Sequence, residues 1–281
     1  MISITASYEN LGRAGVEAIT AKTIRFPGGE VQIRLDLEGR AFPYGSTFYI
    51  KADLCNSQNV MELLMATDAL RRAEPDAAIK LVMPYIPYAR QDRVAVPGEA
   101  LSIKVFADLI NAQMYDSVTV WDAHSDVSVA LLDRVVHITA AQIISSRGLG
   151  LGLFEDCVIV APDAGAVRRA GAVAKMIGTE LVRADKSRDP RTGEITGTSI
   201  LTPGGYKYAP FVIVDDICDG GRTFIELAKA LRAVSQRPIH LYVTHGIFSA
   251  GFDQLKRHLA TIICANVIST EEPPPGFLIK I

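Results

Sequence analysis

The chain has no Cys-x-x-Cys pair; its four cysteines, Cys55, Cys157, Cys218 and Cys264, stand far apart in 281 residues. That spacing offers neither a disulfide framework nor a cysteine zinc site, and it fits a reducing compartment. A basic excess is lacking too. Twenty-nine Lys and Arg residues against 31 Asp and Glu give a formal net charge of -2 with both signs scattered, so nothing marks a nucleic-acid partner. No apolar run approaches the roughly 20 residues that span a bilayer, and the N-terminal stretch has no basic segment ahead of an apolar one. The expectation is a cytoplasmic protein with no membrane partner. Two common phosphate-binding signatures are also absent, Gly-x-x-x-x-Gly-Lys-Ser/Thr and Gly-x-Gly-x-x-Gly after a strand, so a bound nucleotide would be held by other means.

What the chain does have is an apolar content of 49% against 21% charged residues, enough to bury a full core in one large α/β domain or two smaller ones. Apolar runs at 47–52, 80–84, 118–121, 157–161, 211–214 and 239–244 alternate with helical spacing such as 60–71 and 100–114. Alternation of this kind predicts parallel sheets covered by helices. Polar residues cluster just after several runs, at 88–93, 122–126, 163 and 215–223, the edge where open α/β sheets bind ligands. Three glycines in 145–155 suggest a crossing between two domains of similar architecture, 1–146 and 147–281. The last residues, Pro273 to Ile281, form a proline turn and a short strand-like segment that can pack on either half, the N-terminal one included.

The densest polar cluster is Asp215-Asp216-Ile-Cys-Asp219-Gly220-Gly221-Arg222-Thr223, behind the apolar run 211–214. Glycines let backbone N–H groups approach an anion, and a helix beginning here adds unpaired N–H groups and its positive dipole end, so a phosphate suits residues 219–223. Thr223 and Glu226 have capping-box spacing, and Phe224, Ala228 and Leu231 share one helical face. Asp215 and Asp216 can accept hydrogen bonds from the vicinal hydroxyls of a ribose. The plainer alternative is a strand ending in turn-forming aspartates.

Further upstream, Arg90, Gln91, Asp92 and Arg93 follow a strand and two prolines; the guanidinium groups can fork onto phosphate or stack on a base, or pair within a solvated loop. His124, flanked by Asp122 and Asp126, suits a divalent ion or a structural hydrogen bond. Asp163 after Pro162 reads equally as a site carboxylate or a helix N-cap. Lys186 and Arg188 precede a polar loop at 189–198, in which two cations can close over phosphates as a lid, or simply face solvent in a hairpin.

In order along nearly the whole chain, these pieces resemble the ribose-phosphate pyrophosphokinase family, also called phosphoribosyl pyrophosphate synthetase. Phe26-Pro-Gly-Gly-Glu30 is similar to its adenine motif, Pro87-Tyr-Ala-Arg-Gln-Asp-Arg93 to its ATP segment, and Asp122-Ala-His-Ser-Asp126 to its Asp-Leu-His segment. Pro162-Asp163, Asp185-Lys-Ser-Arg188, Asp215 to Thr223 and Thr244-His-Gly-Ile-Phe-Ser249 match further family segments. The resemblance implies two phosphoribosyltransferase-like domains, each a mainly parallel sheet flanked by helices. It implies transfer of the β,γ-pyrophosphoryl group of Mg-ATP to the 1-hydroxyl of ribose 5-phosphate, releasing AMP. By the same resemblance Phe26, Glu30, Arg90, Gln91, Asp92, Arg93 and His124 bind ATP, and Lys186 and Arg188 are catalytic. Asp215, Asp216, Asp219, Gly220, Gly221, Arg222 and Thr223 bind ribose 5-phosphate, and His124 and Asp163 position Mg²⁺. The family's shared adenine site implies a homo-oligomer.

The chain departs from the family pattern in three places. Gly28 stands where the pattern has an aspartate, Gly220-Gly221-Arg222-Thr223 replaces Thr-Gly-Gly-Thr, and Val94-Ala-Val-Pro97 replaces further basic residues. Two other readings remain: a phosphoribosyltransferase that consumes phosphoribosyl pyrophosphate, or a catalytically silent partner of an active synthetase.

Overall fold

A computed structural model describes residues 2–10, 13–148, 152–188, 195–200 and 209–281. The chain divides into two compact units, Met1–Ile138 and Thr139–Ile281. Residues 139–146, placed by sequence with the first half, fall in the second unit because Ala140 and Ile144 pack into its core.

The first unit runs β1 (Ile2–Asn10), β2 (Arg13–Ile19), β3 (Ala21–Arg25), β4 (Val31–Leu35), β5 (Thr47–Ala52), α1 (Ser57–Ala73), β6 (Ala78–Val82), α2 (Ser102–Asn111), β7 (Ser117–Trp121), α3 (Asp126–Leu131) and β8 (Val135–Ile138). Its main sheet has the order β2-β1-β5-β6-β7-β8, with β5 to β8 parallel and β1 and β2 antiparallel, while β3 and β4 form a separate ribbon. Helix α1 starts where Asn56 accepts the Asn59 N–H at 2.9 Å. Its Val60, Leu63, Ala66 and Leu70 recur at helical spacing and are all buried.

The second unit runs α4 (Ala140–Ile143), which continues as a π-helical turn over Ile144–Gly148, then β9 (Val158–Ala161), α5 (Val167–Ile177), β10 (Leu181–Arg188), β11 (Ile195–Ile200), β12 (Phe211–Cys218), α6 (Arg222–Val234), β13 (Ile239–Gly246), α7 (Asp253–His258), β14 (Thr261–Val267) and β15 (Leu278–Lys280). The sheet order is β11-β10-β9-β12-β13-β14-β15, parallel except for the β10–β11 hairpin. Strand period two sorts the apolar residues into layers. Val212 and Val214 pack with Ala170 and Val173 of α5, while Phe211 and Ile213 pack with Phe224, Leu227 and Leu231 of α6. A strand apolar at every position is therefore covered on both faces.

The C-terminal segment belongs to this unit. Its backbone pairs in parallel with β14, Phe277 enters one core and Ile281 packs against the other. Among the described residues no helix is long and apolar enough to cross a membrane.

Candidate active site

Strands β9 and β12 are parallel neighbours whose register runs Phe211↔Val158 to Ile213↔Val160. Three residues beyond that last pair stand Asp216 on β12 and Asp163 just past the end of β9, at the same sheet edge. Asp163 Oδ1 accepts the Ala166 N–H at 3.2 Å and so shapes the turn ahead of α5, but the N-cap of that helix is Ala166, three residues further on, so Asp163 is not the cap that the alternative expected. Asp215 and Asp216, expected beyond the strand, lie within β12; Asp215 pairs with Val243 of β13. The Asp216 N–H donates to Asp215 Oδ1 at 2.9 Å.

Arg169, on the first turn of α5, joins this group, and the sequence reading had not singled it out. Its Nη1 lies 3.5 Å from Asp215 Oδ1 and 3.6 Å from Asp216 Oδ1, with side-chain exposures of 12%, 16% and 6%. Burial, then the neighbouring Asp216 carboxylate, raise the Asp215 carboxyl well above its usual range; Arg169 pulls it down and Asp163 pushes it up. The Arg169 contact is thus the counterweight in a group dominated by desolvation and like charge.

The loop that follows turns at Gly221, φ 78°, where an added Cβ would meet Leu255 Cδ2 at 2.8 Å. Only glycine suits that position. Gly220 is less demanding, since its added Cβ would lie 3.9 Å from Ser249 Oγ. Gly221 is the N-cap and α6 begins at Arg222, so Thr223 lies inside the helix and the expected Thr223–Glu226 capping box does not form. A left-handed glycine N-cap has taken its place. Arg222 itself has an ordinary helical backbone and an exposed side chain, so the left-handed conformation is required one position earlier. The first N–H to donate within the helix is that of Phe224, to the Gly221 carbonyl at 3.0 Å, so the N–H groups of Arg222 and Thr223 precede it, and a helix start of this kind can offer such groups to an anion.

Ser249, in the Thr244–Ser249 segment, was given no role from sequence; its Oγ donates to Asp219 Oδ1 at 2.6 Å. Gly246 makes room for this return, because an added Cβ would meet the Phe248 ring at 2.1 Å. Cys218 sits behind the loop with its thiol pushed far up by burial, so it is a neutral packing group and no nucleophile.

In the first unit Phe26 and Glu30 bracket the β3–β4 turn, where the Phe26 N–H donates to the Glu30 carbonyl at 2.9 Å and Gly29 has φ 90°. Phe26, 45% exposed, edges a groove of about 930 Å³ lined also by Glu30, Gln32, Ser57, Met61 and Met65. Arg90, Gln91 and Arg93 are exposed and Asp92 is half-buried; Gln91 N–H donates to the Tyr88 carbonyl at 2.9 Å, with Tyr88 at φ 63°. His124 follows a turn fixed by Asp122, φ 38°, whose N–H donates to Ile138 at 2.7 Å, and by the Ala123 N–H on His137 Nε2 at 3.0 Å. Lys186 and Arg188 sit on β10 opposite Thr198 and Ile195 in a hairpin; their side chains, and residues 189–194, lie outside the described residues.

The model of the N-terminal domain of ribose phosphate pyrophosphokinase matches residues 8–113, and that of the phosphoribosyl transferase domain matches 133–268. The ribose-phosphate pyrophosphokinase of Thermococcus kodakarensis is 31% identical over 269 residues, covering 93% of this chain and 90% of the relative. The chain belongs to the ribose-phosphate pyrophosphokinase family. The Campylobacter jejuni ribose-phosphate pyrophosphokinase is 33% identical over 227 residues, 80% of this chain and 71% of that one. The crystal structure of phosphoribosylpyrophosphate synthetase from Mycobacterium smegmatis superposes with a TM-score of 0.77 at 26% identity, over 94% of this chain and 86% of that one. The α/β fold with mainly parallel sheets, expected from sequence, is the fold of this family member.

Proposed function

We propose that the protein is a ribose-phosphate diphosphokinase, with the first unit serving ATP and the second ribose 5-phosphate. The observation that carries this reading is the edge of the second sheet. Asp163, Asp215 and Asp216 collect at the ends of two neighbouring strands, immediately before a glycine turn and the N-terminus of α6. Hydroxyl acceptors beside an anion cradle fit a sugar phosphate and little else.

In the proposed reaction the 1-hydroxyl oxygen of ribose 5-phosphate attacks the β-phosphorus of ATP. The bond from that phosphorus to the α,β-bridging oxygen breaks, AMP leaves, and the hydroxyl proton is lost. Such a transfer depends on positioning and charge neutralisation. Asp215 and Asp216 hold the ribose hydroxyls, and Asp219, Gly220, Gly221, Arg222 and Thr223 hold the 5-phosphate. Phe26 stacks the adenine and Glu30 contacts its edge, while Arg90, Gln91, Asp92, Arg93 and His124 hold the rest of the nucleotide. Lys186 and Arg188 stabilise the phosphoryl charge in transit.

His124 and Asp163 are the proposed holders of Mg²⁺. Among the described residues no three His, Cys, Asp or Glu side chains form a metal cage. Magnesium commonly takes one or two carboxylates and completes its shell with water and substrate phosphates, so the Asp163 oxygen donor fits it. When bound, the ion supplies charge neutralisation on the triphosphate.

A homo-oligomer in the cytoplasm completes the proposal. The exposed side chains of Met61, Met65, Val105 and Leu109 on α1 and α2 support a subunit contact, and the four free cysteines suit a reducing compartment. Incubation with Mg-ATP should give AMP release that depends on ribose 5-phosphate. No such release from the purified chain would overturn the reading in favour of a silent partner or a phosphoribosyltransferase.

A further inference from the structure

We propose that Arg169 is a positioning residue for the sugar acceptor, tying Asp215 and Asp216 together so that both carboxylates present oxygens to the ribose hydroxyls. The inference rests on the reading of residues 215–223 as the ribose 5-phosphate site.

Successive strand residues point to opposite faces, and the residues just before the pair obey this: Ile213 packs in one layer, Val214 in the other. Asp215 and Asp216 should therefore diverge. A single guanidinium nitrogen nevertheless stands 3.5 Å from one carboxylate and 3.6 Å from the other, so both carboxylates reach the same cation. Each contact is longer than the 2.7–2.9 Å of a closed charge-assisted hydrogen bond. Arg169 thus offsets the charge of the pair without closing tightly on either carboxylate.

Helix chemistry gives no reason for a cation there. Arg169 is the third residue of α5, on the turn where the helix dipole disfavours positive charge, yet its side chain is only 12% exposed. Asp163 adds a third nearby negative charge, since it raises the Asp215 carboxyl through space. A planar, permanently charged group that can address two acceptors at once suits this place, and a lysine ammonium suits it less.

The test compares full-length wild type, Arg169→Met, Arg169→Lys, Asp215→Asn and the Arg169→Met/Asp215→Asn double variant. KM for ribose 5-phosphate and for ATP is read from AMP release, with thermal melting alongside. Arg169→Met is expected to raise KM for ribose 5-phosphate about tenfold to a hundredfold, leave KM for ATP within about twofold, and add little further rise in the Asp215→Asn background. Arg169→Lys should recover part of the loss. An active wild type whose Arg169→Met keeps its ribose 5-phosphate KM, or whose two KM values rise together, overturns the proposal alone. Additive losses in the double variant also overturn it. If Arg169→Met does not fold, Arg169→Lys decides by the same split between the two KM values. A wild type with no ribose 5-phosphate-dependent AMP release overturns the site reading and this proposal with it.

Discussion

The acidic edge of the second unit is buried and internally cross-linked, whereas the proposed nucleotide segments of the first unit are exposed. Asp215, Asp216 and Arg169 are each at most 16% exposed and contact one another. Phe26 is 45% exposed at a hairpin turn, and Arg90, Gln91 and Arg93 are exposed beyond β6. On the proposed reading the difference follows from what each must hold. Small neutral hydroxyls give little contact area, so their acceptors have to be oriented in advance by the protein. An adenine ring and a triphosphate bring their own area and charge, and solvated side chains can gather around them on binding.

The largest break in this comparison should come from Asp215. Asp215→Asn is expected to lower kcat/KM for ribose 5-phosphate by about 10²–10³-fold, by analogy with the loss of a preorganised polar contact. The same variant should be more stable than wild type at neutral pH. Burial and Asp216 raise the Asp215 carboxyl, so the folded chain holds that proton more tightly than the unfolded one. Its contribution to stability is full below about pH 4, the ordinary carboxylate value, and is lost as pH rises through the raised folded value. Melting curves at pH 8 should place Asp215→Asn above wild type, with the gap closing near pH 4.

Gly221→Ala should follow, at about 2–4 kcal/mol, because a left-handed backbone and the displacement of Leu255 add together. Melting temperature and ribose 5-phosphate KM report it; Gly220→Thr, with its open Cβ position, should melt close to wild type. Arg90→Ala sharpens the contrast from the other side. It is expected to raise KM for ATP about tenfold to a hundredfold while leaving the melting temperature nearly unchanged, since the side chain is exposed. The smallest effect belongs to Gly28→Asp. An added Cβ meets nothing nearer than Glu30 Oε2 at 3.9 Å, so stability should change by less than about 0.5 kcal/mol, and any change in ATP KM reports the carboxylate alone.

The strand 47–52 was legible from its apolar run to the residue, and 211–214 gave the start of β12. The end of β12 was not, because Asp215 and Asp216 look like loop residues. They stay in the strand through pairing with β13, which continues past them to Ile217↔His245. Arg169 escaped notice because Asp215 and Asp216 lie 46 and 47 residues away and no spacing rule reaches that far. An arginine on a helix first turn, just after Pro162-Asp163, was the available signal. Thr223 matched a capping pattern that Gly221 overrides, since the left-handed turn starts the helix two residues too early for it. The destination of residues 278–280 depends on an open strand edge, which only the assembled sheet provides.

The measurement that bears most directly on the account is a phosphorus NMR spectrum of the purified chain with Mg-ATP and ribose 5-phosphate. The account predicts AMP and a diphosphate on the sugar 1-oxygen appearing in equal amounts, with the β,γ pair transferred intact. Unchanged ATP, or only ADP and orthophosphate, would contradict it.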